Sequence, residues 1–545
     1  MTEEQITRAI YYYELAVRQK NAAAPYYEKV NQYIRPFFTI RNKEYTKNPE
    51  INKQLKYINL YIINCTEKFV NYLMSTLLPR GEQWGRATID EEILKSLMID
   101  VEKGYHKAHS DNLKKNLDDG TNTTFRFLNK SNYFNEIYEA VFDSVGFGTG
   151  CFKVLERDNP VRPIIFEYVS FNEIFGVDDA FGKPNFIFRR YIDMNAETTL
   201  DLFPDADWGD YSEELAVKRT FIEAVIPVID DRTNKYTFLH GLYTEDFRTA
   251  LFEEELPYNP YVVFRFRQQQ GIFWGIGQDL KCIDDFETLV EYAEADRAQV
   301  QRVANPPMLA TGNPNLYDAL SLKAGILNYG GLSTPNDPDR LVVTPILSGQ
   351  QLMPIENKIL EIKKEIDRAL FVNPLGDVTD KTMTATENQL RAQMFRKEFA
   401  GVYERTSSEL LEPTFRNCFE ILKKKGLIKL DDEYDTAVEI EFTNDLSQVN
   451  DKAKITSMLQ FADVYGKFTG AENVATIFDP VKLKDYLIDN LKVERKPLRD
   501  DEEIEKISAQ KRQAEIMLAA QRAGNAAGEP VMTQEQGAKA VGEMI

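Results

Sequence analysis

The sequence predicts a mainly α-helical chain with an α+β lobe, and three observations point that way. Long stretches repeat apolar residues at steps of three and four, the signature of helices with one buried face. From Pro163 to Tyr191 and from Phe221 to Arg267, short alternating runs such as Ile164-Ile165-Phe166-Glu167-Tyr168 and Tyr261-Val262-Val263-Phe264-Arg265-Phe266 read instead as strands between turns. The chain has 545 residues, whereas single hydrophobic cores stop growing near about 250–300 residues, so more than one lobe is expected.

The chain up to Val145 reads as mostly helical. Ile6, Ile10, Tyr13 and Val17, followed by Ala23 to Val30, predict two helical stretches ended by Pro36. Leu55, Ile58, Tyr61, Ile62, Cys65, Phe69 and Leu73 predict a third, stopped by Leu77-Leu78-Pro79-Arg80-Gly81. Glu91 to Lys130 reads as a long charged helical region. Within it His106 and His109 lie one turn apart, but no nearby Cys or His offers a third ligand, so a solvated face is expected and no metal. Phe134 to Val145 is helical again, and Gly146-Phe147-Gly148-Thr149-Gly150 turns the chain into a strand, Cys151 to Leu155. A phosphate-binding reading of those glycines has the order reversed: a nucleotide loop follows a strand and precedes a helix. Glu197 to Asp210 reads as a short helix and loop.

From Gly277 to Glu387 two amphipathic helices flank a Pro/Gly-rich excursion. The first carries Ile283, Phe286, Val290, Ala293 and Val300 on one stripe and stops at Asn305-Pro306-Pro307. The second begins near Gln350 and places Leu352, Ile355, Ile359, Ile362 and Ile366 on a seam, with charge on its other faces. Neither buries enough alone, so each needs the other and copies from neighbouring chains. Between them, strands are expected at Pro307 to Ala310 and Leu341 to Thr344. Asn373 to Met383 is too rich in Pro, Gly and small polar residues for helix and reads as a mobile loop. Thr384-Ala385-Thr386-Glu387 fits a capping box opening a helix with Leu390, Met394, Phe395, Phe399 and Val402 on its apolar stripe; Pro413 should bend that helix and Lys423-Lys424-Lys425-Gly426 close it. Val438 to Phe442 reads as a strand, Gln448 to Tyr465, Glu472 to Ile477, Val481 to Leu491 and Asp501 to Ala523 as helix, and Gly524 to Ile545 as a flexible tail.

Hydrophobic residues make up 43% of the chain, which argues for a folded protein, and no run approaches the ~20 apolar residues of a membrane span. Met1 to Gln5 shows no basic region before an apolar core, so no secretory signal is expected. Cys65, Cys151, Cys282 and Cys418 lie far apart and read as small apolar residues in a reducing compartment. A net charge of -20 argues against tight nucleic-acid binding, which needs Lys and Arg on phosphates. No HExxH, GxSxG, CxxC or Walker pattern occurs, so neither catalytic residues nor cofactors are expected.

The order of helix, excursion, helix, loop and bent helix resembles the portal, or head-to-tail connector, proteins of short-tailed bacteriophages. Ala24-Pro25-Tyr26-Tyr27-Glu28 through Tyr33-Ile34-Arg35-Pro36, Phe69 through Leu77-Leu78-Pro79 with Trp84, Gly146 to Gly150, Pro260 to Arg265 and Thr384 to Glu387 are similar to that family's blocks in the same order. Phe273-Trp274-Gly275-Ile276-Gly277 departs from the pattern, which would place a Tyr and an Arg between the glycines. The resemblance implies the portal fold of wing, stem, clip and crown in a ring oligomer. Its parts would be 1–275 wing, 276–305 first stem helix, 306–349 clip, 350–372 second stem helix, 373–384 tunnel loop, 385–445 wing with the kinked helix, 446–523 crown and 524–545 tail.

The resemblance further implies a dodecamer at one capsid vertex, the channel for packaging and ejecting double-stranded DNA, assembled in the host cytoplasm and carried in the virion. Its partners would be further copies of itself, weakly held sliding DNA, the terminase packaging motor, a tail adaptor, and the major capsid protein with scaffold or core proteins; no membrane is implied. The tunnel loop would bring Asn373, Asp377, Thr379, Asp380, Lys381 and Thr382 to the channel. Lys363, Lys364 and Arg368 are either lumenal rings or ordinary helix-surface partners, since Glu361 with Lys364 and Lys363 with Asp367 have pairing distance along a helix. The seam of Leu352, Ile355, Ile359, Ile362 and Ile366 would pack neighbouring chains. Two other classes stay open: a nucleotide-binding enzyme using the Gly146 to Gly150 turn, and a virion or tail protein without a channel.

Overall fold

The computed structural model describes residues 3–35, 60–89, 103–194, 202–209, 218–229, 236–269, 271–311, 323–331, 343–345, 353–372, 401–430, 438–442 and 457–465, with a few single positions besides. They belong to two compact units, Met1–Glu82 with Thr123–Ile428, and Gln83–Asn122 with Lys429–Ile545. In chain order the elements are α1 (Glu3–Ile34), α2 (Leu60–Leu77), β1 (Gly85–Ile89), α3 (Lys103–Lys130), α4 (Tyr133–Gly146), β2 (Thr149–Glu156), β3 (Ile164–Tyr168), β4 (Ile174–Asp178), β5 (Pro184–Met194), β6 (Arg219–Ile229), β7 (Tyr236–Thr244), β8 (Ala250–Leu256), β9 (Tyr261–Arg265), α5 (Gln278–Lys281), α6 (Ile283–Ala304), β10 (Met308–Thr311), β11 (Leu327–Gly331), β12 (Val343–Pro345), α7 (Met353–Ala369), α8 (Glu412–Lys424) and β13 (Val438–Phe442).

Among the described residues the first unit holds three sheets, two of which make its core. β4 to β8 form an antiparallel meander in chain order, and β2 lies between β3 and β9, antiparallel to both. Alternation along the meander separates its faces. Phe175, Phe186, Phe188, Ile222, Ala224, Ile226 and Tyr243 make one buried cluster, and Tyr191, Phe221 and Leu242 another with Met194 and Trp208. α1 covers the first cluster. Its Ala9 and Ala16 allow close approach, Tyr12 stacks on Phe186 with centroids 3.9 Å apart, and Tyr13 meets Phe175, Phe188 and Phe247 edge-on. β2 and β9 are nearly buried throughout, so β9 is an apolar run from Tyr261 to Phe264 where alternation is expected.

One helix stands where the sequence suggests two. α1 runs unbroken through Pro25, although a proline inside a helix costs ~3 kcal/mol in lost hydrogen bonding and steric crowding. Buried residues lie on both sides of it, Ala9, Ala16 and Lys20 before and Tyr27, Val30 and Ile34 after, so the whole length is held by packing. Lys20 fixes the middle: its Nζ donates to the main-chain oxygens of Phe171, Asn172 and Ile174 at 2.6, 2.9 and 2.7 Å and lies over the rings of Phe175 and Trp274. Burial pulls its pKa well below the lysine range, and three carbonyl acceptors with aromatic faces are the environment that keeps an ammonium tolerable there.

The two stem candidates pack on each other as α6 and α7. A four-residue α5 precedes α6, and the axis breaks at Cys282, so the first of them is two helices where one is expected. Both strands expected between α6 and α7 occur as β10 and β12, and a third, β11, runs parallel to β10. The pair Gly330-Gly331 made β11 illegible as a strand; a register shift between Ala310 and Thr311 lets Gly331 pair with Thr311. In the second unit β1 pairs antiparallel with β13, and Arg86 holds Asp118 through two hydrogen bonds of 2.8 and 2.9 Å. The loop 373–383, the capping box 384–387, Leu352, and the helices expected at 472–477, 481–491 and 501–523, a few single positions apart, lie outside the described residues. No helix among the described residues is long and apolar enough to cross a membrane.

Phe188 sits at the centre of the sheet under α1, with no exposed surface. Phe188→Ala should destabilise the chain by about 3–5 kcal/mol, because it leaves a cavity that Tyr13 and Phe247 cannot close. Denaturant titration of the two proteins, followed by far-ultraviolet circular dichroism, measures the difference.

Candidate functional site

The paired helices α6 and α7 are the first region the sequence singles out. The α7 seam faces inward over its second half: Ile362 and Ile366 are buried, as is Leu370 just beyond the helix, while Ile355 and Ile359 are half-buried. The residues covering it belong to the same chain. Phe286 and Leu289 are the buried positions of α6, and α2 crosses behind, where Tyr61 donates to the Lys363 carbonyl at 3.1 Å and the Cys65 thiol meets the Asp367 carboxylate at 3.6 Å. Burial, and then Asp367, push the Cys65 thiol up to about 12. Gln278 donates to the Ala369 carbonyl at 2.8 Å and fastens the end of α7 to α5.

A groove of about 500 Å³ lies between α6 and α7, lined by Leu289, Val290, Ala293, Val300 and Ile359, with Glu294, Asp296, Arg297 and Lys363 among its polar residues. The large apolar residues exposed here are Val300, Val303 and Leu360, at 49%, 44% and 54%. Of the three candidate lumenal charges, Lys363 is half-buried with its ammonium 4.9 Å from the Tyr61 ring centre, whereas Lys364 and Arg368 are exposed. The spacing of four puts those two on one face. Glu361, expected to pair with Lys364, instead accepts from Lys358 at 2.7 Å in an exposed pair of little energetic weight. Asn373, Asp377, Thr379, Asp380, Lys381 and Thr382 lie outside the described residues.

The second region is the glycine turn after α4. Gly146, Gly148 and Gly150 do not face an open cradle. A Cβ on Gly148 would collide with the Gly275 carbonyl, one on Gly277 with the Gly146 carbonyl, and one on Gly150 with the Ala140 carbonyl. Two glycine turns therefore pack main chain against main chain, joined by Phe266 N–H to Gly148 O and Gly275 N–H to Thr149 Oγ1, both 2.9 Å. Gly148 also adopts φ +98, which only glycine takes without strain. The space a phosphate would need is filled by the chain itself, so the nucleotide alternative loses the feature that suggested it.

Behind these turns lie buried charges that sequence reading missed. Arg265, the last residue of β9, has no exposed side-chain surface and all five of its N–H groups are used. Its Nε and one amine donate to Glu409 at 3.0 and 2.6 Å, and the rest reach both Asp178 oxygens at 2.8 Å, the Gly182 carbonyl at 2.7 Å and the Phe273 carbonyl at 3.3 Å. Glu223 on β6 is the second centre. Lys153 on β2, His240 Nε2 at 2.6 Å, Tyr261 at 2.6 Å and Tyr191 at 2.9 Å converge on it, so one carboxylate ties the two sheets together. Burial alone would raise its pKa; Lys153 and then His240 hold it well below the ordinary carboxylate range. The signal for these clusters was a charged residue inside an apolar strand, which marks a buried partner without naming it. Each charge in them faces an opposite charge at hydrogen-bonding distance, so they read as struts.

Among the described residues no group of three or more His, Cys, Asp and Glu could hold a metal. The four cysteines are free and buried, as expected of small apolar residues. A model of the family described as bacteriophage head to tail connecting protein matches residues 8–496. No curated protein matches the chain.

Asp279, at the start of α5, is fully buried, and its carboxyl oxygens both lie 3.1 Å from Thr66 Oγ1. Burial pushes its pKa up to about 8, against a smaller lowering by Thr66. The folded state thus keeps a proton that the unfolded chain gives up above about pH 4. Stability from this group is full below that pH and is lost as pH rises towards 8, with a slope of up to about 1.4 kcal/mol per pH unit. Asp279→Asn keeps the shape without the proton, so its stability relative to the native chain should rise between pH 5 and pH 8. Urea titrations at those two pH values give the comparison, and equal differences at both would show that Asp279 is charged in the fold.

Proposed function

We propose a portal role for this chain, which belongs to the bacteriophage head to tail connecting protein family by a match over nearly its whole length, residues 8–496. Membership makes it a structural protein of the phage virion that joins head to tail components. Beyond that, copies of the chain form a ring, a dodecamer, at one capsid vertex. Double-stranded DNA is packaged and ejected through its channel, the terminase motor and later a tail adaptor dock on the region of β10 to β12, and the wing meets the capsid protein. The observation that carries this reading is the family match; the packed pair α6 and α7, with a small sheet inserted between them in sequence, supports it as stem and clip. The net charge of -20 suits a channel wall that repels DNA and lets it slide.

The packing between copies is reassigned within this proposal. Ile362 and Ile366 serve the chain's own core, so the surface offered to a neighbour is the exposed apolar set on α6 and α7, Val300 in the groove with Val303 and Leu360. Leu360→Asp should leave the single chain folded, because that side chain is 54% exposed, and should abolish rings, since each joint would bury an unpaired carboxylate. Electron microscopy with sedimentation velocity reads both outcomes; normal rings would remove this face from the interface.

The loop 373–383 is assigned to the channel, with Lys381 beside Asp377 and Asp380 making weak, salt-screened phosphate contacts. Lys364 and Arg368 are the exposed α7 charges that could line the same wall. Deleting Asp377 to Lys381 should spare ring formation, because the segment has little apolar area, and should lower the DNA retained per head. Particle counts with DNA quantitation test this: unchanged full heads, or lost rings, would take the loop out of the channel.

A further inference from the structure

The helical run from residue 401 to Lys424 changes pitch at Ser407–Leu411. Residues 401–406 and Glu412–Lys424 are α-helical, but between them Glu412 N–H reaches back five residues to Ser407 O. A turn of this kind holds one residue more than an α-turn, so the two halves are out of phase by one step, about 100° and about 1.5 Å.

Two features hold it. Pro413 has no N–H for the Glu409 carbonyl, and in α-geometry its ring would press on that oxygen. The Glu409 carboxylate also accepts from Arg265 three times, from the main-chain N–H at 2.9 Å, from Nε at 3.0 Å and from an amine at 2.6 Å. An α-register would swing residue 409 away from all three. The halves are anchored unequally. Phe415, Cys418, Phe419, Ile421 and Leu422 seat α8 in the core, whereas Val402 and Thr406 are the buried residues before the turn and Gly401 faces open space. Arg265 would stay in place if Glu409 left, since Asp178, Gly182 and Phe273 hold it independently. Arg405 on the upstream half donates to Glu409 at 3.0 Å and to Gln268 Oε1 at 2.6 Å, so a step of that half also exchanges the Gln268 contact.

We propose that Ser407–Leu411 is a register switch held open by the Glu409–Arg265 ion pair: when that pair breaks, the turn closes to α-pitch and the helix before residue 407 rotates by one step while α8 stays seated. Its role rests on the portal reading, because the moving half follows the loop 373–383 in sequence and the fixed half belongs to the wing, so the step would pass strain between them. The register itself is tested apart from that reading.

Val402→Cys places a thiol on the inward face of the upstream half, in a chain whose own described cysteines are all buried. Maleimide labelling should be slow in this background and stay slow with Pro413→Ala added, since the ion pair still holds the turn. With Glu409→Gln and Pro413→Ala together it should rise by about tenfold or more at unchanged helix content, as expected for a site moved from buried to open. Equal rates in the folded double variant, or fast labelling with Pro413→Ala alone, would overturn the proposal. If the double variant does not fold, Glu409→Gln alone decides: the rate should rise by less than in the double variant, because Pro413 still opposes α-pitch, and an unchanged rate counts against the switch. Either failure leaves the portal reading standing, whose own tests are rings and retained DNA.

Discussion

Arg265 carries a charge that cannot be lost into a site without water, and most of the first unit is arranged to receive it. One guanidinium reads out four places at once: the end of β9, the turn between β4 and β5 through Asp178 and Gly182, the loop before α5 through Phe273, and the widened turn through Glu409. Desolvating such a group costs several kcal/mol, repaid only when every N–H finds an acceptor in good geometry. Removing one partner would therefore cost more than the bond is worth, about 3–5 kcal/mol for a broken buried pair. The end of β9, the β4–β5 turn and the loop before α5 hold one another in place through that charge, and the widened turn is tied to them by Glu409 alone.

The same logic runs through the neighbouring contacts. Glu223 gathers Lys153, His240, Tyr191 and Tyr261 from four strands of two sheets, and Lys20 ends on three carbonyls between α1 and the start of β4. Between these struts the two glycine turns, 146–150 and 275–277, approach at main-chain distance. That approach sets where α5 begins, and α5 with Gln278 sets where α7 ends. The helix pair proposed as stem is thus oriented by contacts with the two glycine turns, through main-chain packing that a single added methyl would prise apart. A protein proposed to transmit force between a motor, a capsid and a tail gains from such stiffness at its joints and from a localised turn where stiffness gives way.

Much of this was legible in the sequence, because periodicity is a local property. The stripes of α2, α4 and α7, the strands from β2 to β9, and the strands β10, β12 and β13 follow from residue spacing, and the ordered blocks from Ala24 to Glu387 resemble the family to which the chain belongs. Pro413 announced a disturbed helix, and the burial of all four cysteines followed from their scattered positions. The acidic composition likewise set the terms for any dealing with DNA, since charge is counted without knowing the fold.

What tertiary structure alone decided is the partner of each residue. Arg265 and Glu409 are separated by 144 positions, and no spacing rule joins them. The disturbance at Pro413 became a widened turn and not a simple bend because a buried arginine waits for Glu409. α1 runs through Pro25 because the β4–β8 sheet packs on it before the proline and Phe147, Phe171, Trp274 and Phe286 pack on it after, a fact outside the helix's own sequence. The α7 seam was legible as apolar, yet whether Ile362 and Ile366 meet a neighbouring chain or their own depends on α2 and α6 folding back over them. Spacing determines which face of an element is apolar; only the path of the rest of the chain determines what covers it, because burial is a long-range energy with no local signature.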